Sequence, residues 1–252
     1  MYLFADVFWA PKTGNTEEEY EDAFFPKQKF EGRRDTFNFA IADGATESSF
    51  SALWARLLVK AVGAGRLSPN SIEPALSKLK SCWDHSVSKK TLPWFAEEKA
   101  RTGAFSTLLG LFLRESEEEG RQWEAFAIGD SCLFQVRGDH LLLRFPLCNA
   151  EEFTSRPTLL SSREQIGDGR ESIKRHNGEW NYEDHFFMMT DALAHWFLTR
   201  YELGEKPWVL LQSLGSRDFP VDFRSWLNEL RKNNFLKNDD VTLWRINISQ
   251  DP

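Results

Sequence analysis

Carboxylates stand where hydrophobic runs stop, and they do so at four places spread along the chain. These are Glu21-Asp22 in EYEDAFF, Asp43 in FNFAIADGAT, Asp191 in HFFMMTDALAHW and Asp239-Asp240 in LKNDDVTLWRI. A run of this kind is a strand buried in a sheet, and a carboxylate at its end is held at the sheet edge with its charge facing a cleft. Like charges gathered in one cleft repel, so a fold that collects them needs a cation to offset the repulsion. The pattern therefore points to a metal site. Oxygen donors suit hard divalent ions such as magnesium and manganese better than zinc.

The remainder of the sequence narrows the class. With 252 residues, 41% hydrophobic and 27% charged, one sizeable core and a single domain over 1–252 are expected. A net charge of -7 and a pI near 5.4 exclude a general nucleic-acid binder, which needs a basic surface. No stretch of about 18 apolar residues occurs, so no membrane span is expected. The opening MYLFADVFWAPKTG lacks the basic segment and small-residue cleavage site of a signal peptide and reads as a first strand. Cys82, Cys132 and Cys148 are odd in number without CxxC spacing, which fits buried thiols in a reducing cytoplasm.

Strand and helix signals alternate without an obvious linker, as in an α+β fold. Residues 2–9 and 36–42 are rich in Phe, Val and Ile. Over 47–62, Phe50, Leu53, Trp54, Leu57, Leu58 and Ala61 recur at helical spacing, predicting a helix with one buried face. Residues 71–100 continue helically with a break near Pro93. Segments 104–113, 123–128, 132–136 and 140–145 read as successive strands of an antiparallel meander. The stretch 146–180 is polar with little periodicity and reads as a long surface excursion. A strand at 185–190, helices at 193–201 and 221–232, and a last strand at 241–248 follow. Trp54, Trp196, Trp226 and Trp244 fall on faces expected to be buried.

The order of these motifs resembles one family. An acidic pair after the first strand, FAIADGAT before a helix, GAFSTLLGLFL, FAIGDSCLFQVRGD, FFMMTDALAHWF and a terminal NDDVTLWRI together look like a metal-dependent protein phosphatase of type 2C (PPM), in its divergent prokaryotic form. The resemblance runs from about residue 4 to residue 246. It implies two antiparallel sheets packed as a sandwich, flanked by helices on both sides, with a binuclear manganese or magnesium centre at one end. Carried over by position, Asp43 bridges the two ions and the Gly44 carbonyl binds one of them. Asp191 and Asp239 complete the first site, Glu21 holds the second directly or through water, and Asp22 stands just behind. Asp43, Asp191 and Asp239 are the implied catalytic set. The implied chemistry is in-line attack on a phosphoserine or phosphothreonine ester by a metal-bridging hydroxide, with no phosphoenzyme and no cysteine nucleophile. The implied partner is a phosphorylated protein, with the enzyme opposing a Ser/Thr kinase as a cytoplasmic monomer. A variable flap at about 146–183 would set substrate choice.

The departures from the family pattern are specific. Glu17 stands where many members carry a phosphate-binding arginine, leaving Lys12, Arg33, Arg34 or the metals to hold phosphate. Ala45-Thr46-Glu47 replaces further glycines and a histidine, and Thr190-Asp191-Ala192 replaces Thr-Asp-Gly. The carboxylate for a third metal finds no counterpart over 101–104. Asp130 in Gly-Asp-Ser is expected to hydrogen-bond within its hairpin and not to bind metal, and His195 to be structural or to reach the cleft. These changes leave open a catalytically weak or inactive pseudophosphatase that binds a phosphoprotein or kinase, and a phosphatase for a small molecule. Each acid also has a local structural reading, Asp43 and Asp191 as helix caps and Asp239-Asp240 as a turn.

Overall fold

The structure is a computed structural model describing residues 1–45, 50–91, 94–118, 120–164, 169–216 and 222–251, with the backbone alone at 94–96 and 99. In chain order the strands are β1 (Tyr2–Ala10), β2 (Ala23–Phe25), β3 (Phe30–Arg33), β4 (Thr36–Ala42), β5 (Phe105–Ser106), β6 (Leu108–Ser116) and β7 (Gly120–Ile128). They continue with β8 (Cys132–Arg137), β9 (His140–Phe145), β10 (Leu160–Ser161), β11 (Lys174–Glu179), β12 (Asp184–Met189) and β13 (Val241–Ser249). The helices are α1 (Ser51–Gly63), α2 (Ile72–Ser88), α3 (Trp94–Thr102), α4 (Asp191–Glu202), α5 (Pro207–Ser213) and α6 (Phe223–Lys232).

Two antiparallel sheets carry the α+β architecture. One has six strands in the order β3-β1-β13-β12-β8-β9 and the other five in the order β11-β7-β6-β4-β2. Successive side chains of a strand point to opposite faces, and here both faces are covered. Phe186 and Met188 of β12 face the other sheet with Phe39, Ile41, Leu109, Leu111 and Trp244, while Phe187 and Met189 face α4 and α5 with Leu193, Phe197 and Trp208. On the second sheet Ala40, Ala42 and Phe112 turn outward to Trp54, Leu58 and Val62 of α1. This double burial explains why FFMM and FNFAIA are continuous apolar runs and not alternating ones. Trp54, Trp196 and Trp244 are buried as expected, and Trp226 is half-buried.

Several expectations need correction. The strands from 104 to 145 do not form one meander: β6 and β7 pair in the five-stranded sheet and β8 and β9 in the six-stranded one. The chain crosses between sheets at Gly129-Asp130-Ser131. Gly129 has φ of 93°, and a Cβ there would lie 2.6 Å from Thr107 Cγ2. The excursion is not structureless. Residues 174–179 form the edge strand β11, bonded to β7, and Trp180 is fully buried. The polar KRHNGE gave no strand signal because it is an edge whose side chains are mostly exposed, held by backbone bonds to β7 and by polar and ring contacts of Lys174, Arg175 and His176. Cys132 is buried, but Cys82 and Cys148 are exposed. Thr46, Glu47 and Pro93, which figure in the expectations above, lie outside the described residues. Among the described residues no helix is long and apolar enough to cross a membrane.

Candidate metal centre

The sheets bring the acidic ends of their strands to one end of the sandwich. Asp43 follows β4, Asp130 sits at the crossing after β7, Asp191 follows β12 and Asp239 precedes β13. All four line one cleft of about 520 Å³, together with Gly44, Thr107 and Lys237 and, from the excursion, Thr154, Arg156 and Leu159.

Threonine and serine hydroxyls tie together the segments that carry the carboxylates. Asp43 N–H donates to Thr107 Oγ1 at 3.0 Å, Thr107 N–H donates to the Asp43 carbonyl at 2.9 Å, and Thr107 Oγ1 lies 2.9 Å from Ser131 Oγ. The segment carrying Asp43 and the crossing that carries Asp130 are thereby held in one network. On the other sheet, Thr190 Oγ1 and Thr242 Oγ1 donate to Asp22 Oδ2 at 3.1 and 2.7 Å, and Tyr20 hydrogen-bonds Thr242. Asp22 is thus a buried support beneath the strands that carry Asp191 and Asp239.

Glu21 and Gly44 meet through backbone proximity. Ser51 Oγ donates to Glu21 Oε1 at 2.6 Å, and a Cβ on Gly44 would lie 2.8 Å from the Glu21 carbonyl oxygen. Asp240 accepts from Lys12 N–H and Glu21 N–H, both at 2.8 Å. The acidic pair therefore divides its work: Asp239 faces the cleft and Asp240 ties the β1–β2 connection to β13. The helix-cap reading fails for Asp43, since α1 starts at Ser51. In α4 the cap position is Thr190, whose side chain makes no capping bond and donates instead to Asp22.

Charge is only partly compensated. Among the buried side-chain oxygens without a hydrogen-bond partner are Asp22 Oδ1, Asp130 Oδ1 and Asp191 Oδ1. Such atoms are expensive to bury unless a ligand satisfies them. Burial raises the Asp43 carboxyl well above the usual range, with Asp22 and Asp191 adding repulsion. Burial and Asp240 do the same to Asp22, and burial and Asp191 push Asp130 up to about 7. Asp191 is raised by burial, against the opposing pull of Lys237.

Asp130 hydrogen-bonds its own backbone, as a turn residue is expected to, but its Oδ1 has no partner and its side chain also lines the cleft. It stands at the end of a hydrophobic run like the other four clusters, so the signal was in the sequence. Lys237 and Arg156 were missed because nothing in their local context marks them. Arg33 and Arg34 are excluded as phosphate holders. Tyr2 pairs with Arg33 and Ser249, whereas Ala10 pairs with Val241 beside the cleft, so both arginines lie at the opposite end of the sheet. Lys12 lies near the centre through its backbone bond to Asp240. Glu17 is paired with Arg224 at 2.5 Å. His195 is exposed and packs against Phe153, outside the residues lining the cleft.

A family model described as protein phosphatase 2C matches residues 15–238. The chain belongs to the protein phosphatase 2C family. Solved structures share the phosphatase 2C fold over nearly the whole chain. The Mycobacterium tuberculosis serine/threonine phosphatase PstP/Ppp aligns with a TM-score of 0.64 and 13% identity, covering 99% of this chain and 100% of that one. Stp1 from Staphylococcus aureus aligns with a TM-score of 0.61 and 12% identity, covering 97% and 94%. The PstP catalytic domain in complex with two manganese ions gives 0.57 and 13%, covering 98% and 100%. No curated protein matches by sequence.

The donor set fits hard divalent ions. Every candidate side-chain ligand is a carboxylate, and two cleft carboxylates keep a buried oxygen without a partner. Among the described residues no group of three or more His, Cys, Asp or Glu is drawn together closely enough to hold a metal ion.

Proposed function

We propose that this protein is a manganese- or magnesium-dependent phosphatase acting on phosphoserine or phosphothreonine in proteins. The observation that carries this reading is the single cleft that gathers Asp43, Asp130, Asp191 and Asp239 and leaves buried carboxylate oxygens without partners. Asp43 would bridge two ions, with the Gly44 carbonyl and Glu21 serving one and Asp191 and Asp239 the other. PstP with two manganese ions and the magnesium complex of RsbX, of TM-score 0.51 and 16% identity, support a divalent requirement. When bound, such ions supply a water nucleophile of lowered pKa and neutralise phosphoryl oxygens.

The chain's own groups do the rest. Asp22, Thr190 and Thr242 hold the strand ends that carry Asp191 and Asp239 in register, so the ligands are pre-positioned. Arg156 brings the 146–183 flap's positive charge to the cleft wall, where a phosphate dianion would enter. Cys132 is no nucleophile, because burial pushes its thiol well up. We place the enzyme in the cytoplasm, as a monomer opposing a Ser/Thr kinase.

The test is hydrolysis of p-nitrophenyl phosphate and a phosphothreonine peptide with manganese, magnesium or chelator. Turnover that needs metal and is lost in Asp43→Ala is expected; metal-independent turnover would overturn the reading. The Glu17–Arg224 pair favours a second reading, since it places a carboxylate where family members carry a phosphate-binding arginine. A pseudophosphatase would bind manganese and phosphoprotein without turnover on any phosphopeptide.

A further inference from the structure

Lys237 is the cation in the cleft with the most defined geometry. Its Nζ lies 2.7 Å from Asp239 Oδ2 and 3.2 Å from Asp191 Oδ2, so one ammonium spans the two carboxylates that approach from different strands. The segment that presents it is anchored on both sides. Leu236 is buried in the helix-facing core, Asn238 Oδ1 accepts from Thr13 N–H at 2.7 Å, and Arg231 donates to the Asp239 carbonyl at 2.6 Å. The Lys237 side chain itself remains 66% exposed, so it can leave the carboxylates without disturbing the core.

We infer that Lys237 is a tethered competitor for the divalent cation, using the same Asp191 and Asp239 oxygens and thereby weakening metal affinity at that site. This rests on the metal-dependent reading above. An ammonium makes directional hydrogen bonds to these oxygens, and any ion that takes them must either displace it or bind beside its positive charge. Both routes penalise loading. Once displaced, the flexible stem keeps the ammonium at the cleft mouth. The role is opposite in sign to that of an ordinary supporting residue, whose removal lowers metal affinity.

The experiment is calorimetric titration of manganese into chelator-stripped wild type, Lys237→Met and Lys237→Arg, with melting temperatures measured with and without manganese. Tightening of at least about tenfold in Lys237→Met, with Lys237→Arg close to wild type, is expected, a shift of about 1.4 kcal/mol. The melting gain on adding manganese should rise correspondingly in Lys237→Met. Lys237→Gln serves if the methionine variant aggregates. Wild type that binds manganese, with an affinity unchanged or weakened in Lys237→Met, would overturn the inference alone. No binding by any of the proteins would overturn the metal reading and the inference with it.

Discussion

The two ends of the β-sandwich bury acids in opposite ways. At the end away from the cleft, Asp184 is fully buried at the start of β12 and is matched completely. Arg137 donates to both its oxygens at 2.7 and 2.8 Å, Gln135 at 2.8 Å, and Asn181 N–H at 2.9 Å. Nearby, Glu115 accepts from the Met1 amino group, Tyr182 and Arg121. Beyond the other end of β12, where Thr190 and Asp191 follow Met189, the pattern reverses. Asp191, Asp130 and Asp22 each keep a buried oxygen without a partner. One strand thus starts at a carboxylate used for stability and leads, two residues past its end, to one that keeps a buried oxygen without a partner. A cluster of unsatisfied carboxylates at one end is what function leaves behind in an otherwise consistent fold.

Substitutions at the two ends should separate stability from activity. The largest effect is expected for Asp191→Asn, with turnover falling by at least about a thousandfold, or about 4 kcal/mol of barrier. Its metal-free stability should be unchanged or higher, because a repelling charge is removed. Full activity in that variant would break the comparison. Asp184→Ala should do the converse, lowering unfolding free energy by about 2–3 kcal/mol because a buried, fully bonded ion pair is broken. Discounting for the partly exposed Arg137 keeps the figure at the low end of buried pairs. Its remaining folded fraction should hydrolyse p-nitrophenyl phosphate at a near wild-type rate.

The smallest expected effect sharpens the comparison through pH. Glu115 is held below the usual range because the bonds from Met1, Tyr182 and Arg121 outweigh its burial. Its stabilisation is therefore full above the unfolded pKa and lost as pH falls through the folded one. Asp130, raised by burial and Asp191 to about 7, behaves oppositely. The native state binds its proton more tightly, so its contribution is full below an unfolded pKa of about 3.9 and is lost as pH rises towards 7. Urea unfolding in chelator should show stability falling by on the order of 1–2 kcal/mol between pH 5 and 7.5. Asp130→Asn should flatten that slope, and manganese should reverse it. A slope unchanged in Asp130→Asn would remove Asp130 from the cluster.

How much was legible in the sequence follows the same division. The sandwich and its long strands could be read from FNFAIA, LLGLFL and FFMM, because double burial leaves continuous apolar runs. The ordered acids could be read because each ends such a run. Strand β11 could not, since the side chains of this polar edge are mostly exposed and leave no apolar pattern. Asp130 was assigned to its hairpin because Gly-Asp-Ser is also an ordinary turn. That the turn crosses between sheets depends on pairing, which is not local. Lys237 was invisible for a similar reason. Its meaning comes from Asp191, 46 residues away in the chain, which lies beside it only after folding.

Manganese titration of chelator-stripped protein tests the central claim most directly. The account predicts that wild type binds more than one ion and that Asp43→Asn, which removes the proposed bridge, loses at least one of them while keeping its melting temperature in chelator. No heat of binding in wild type, or full binding in Asp43→Asn, would contradict it.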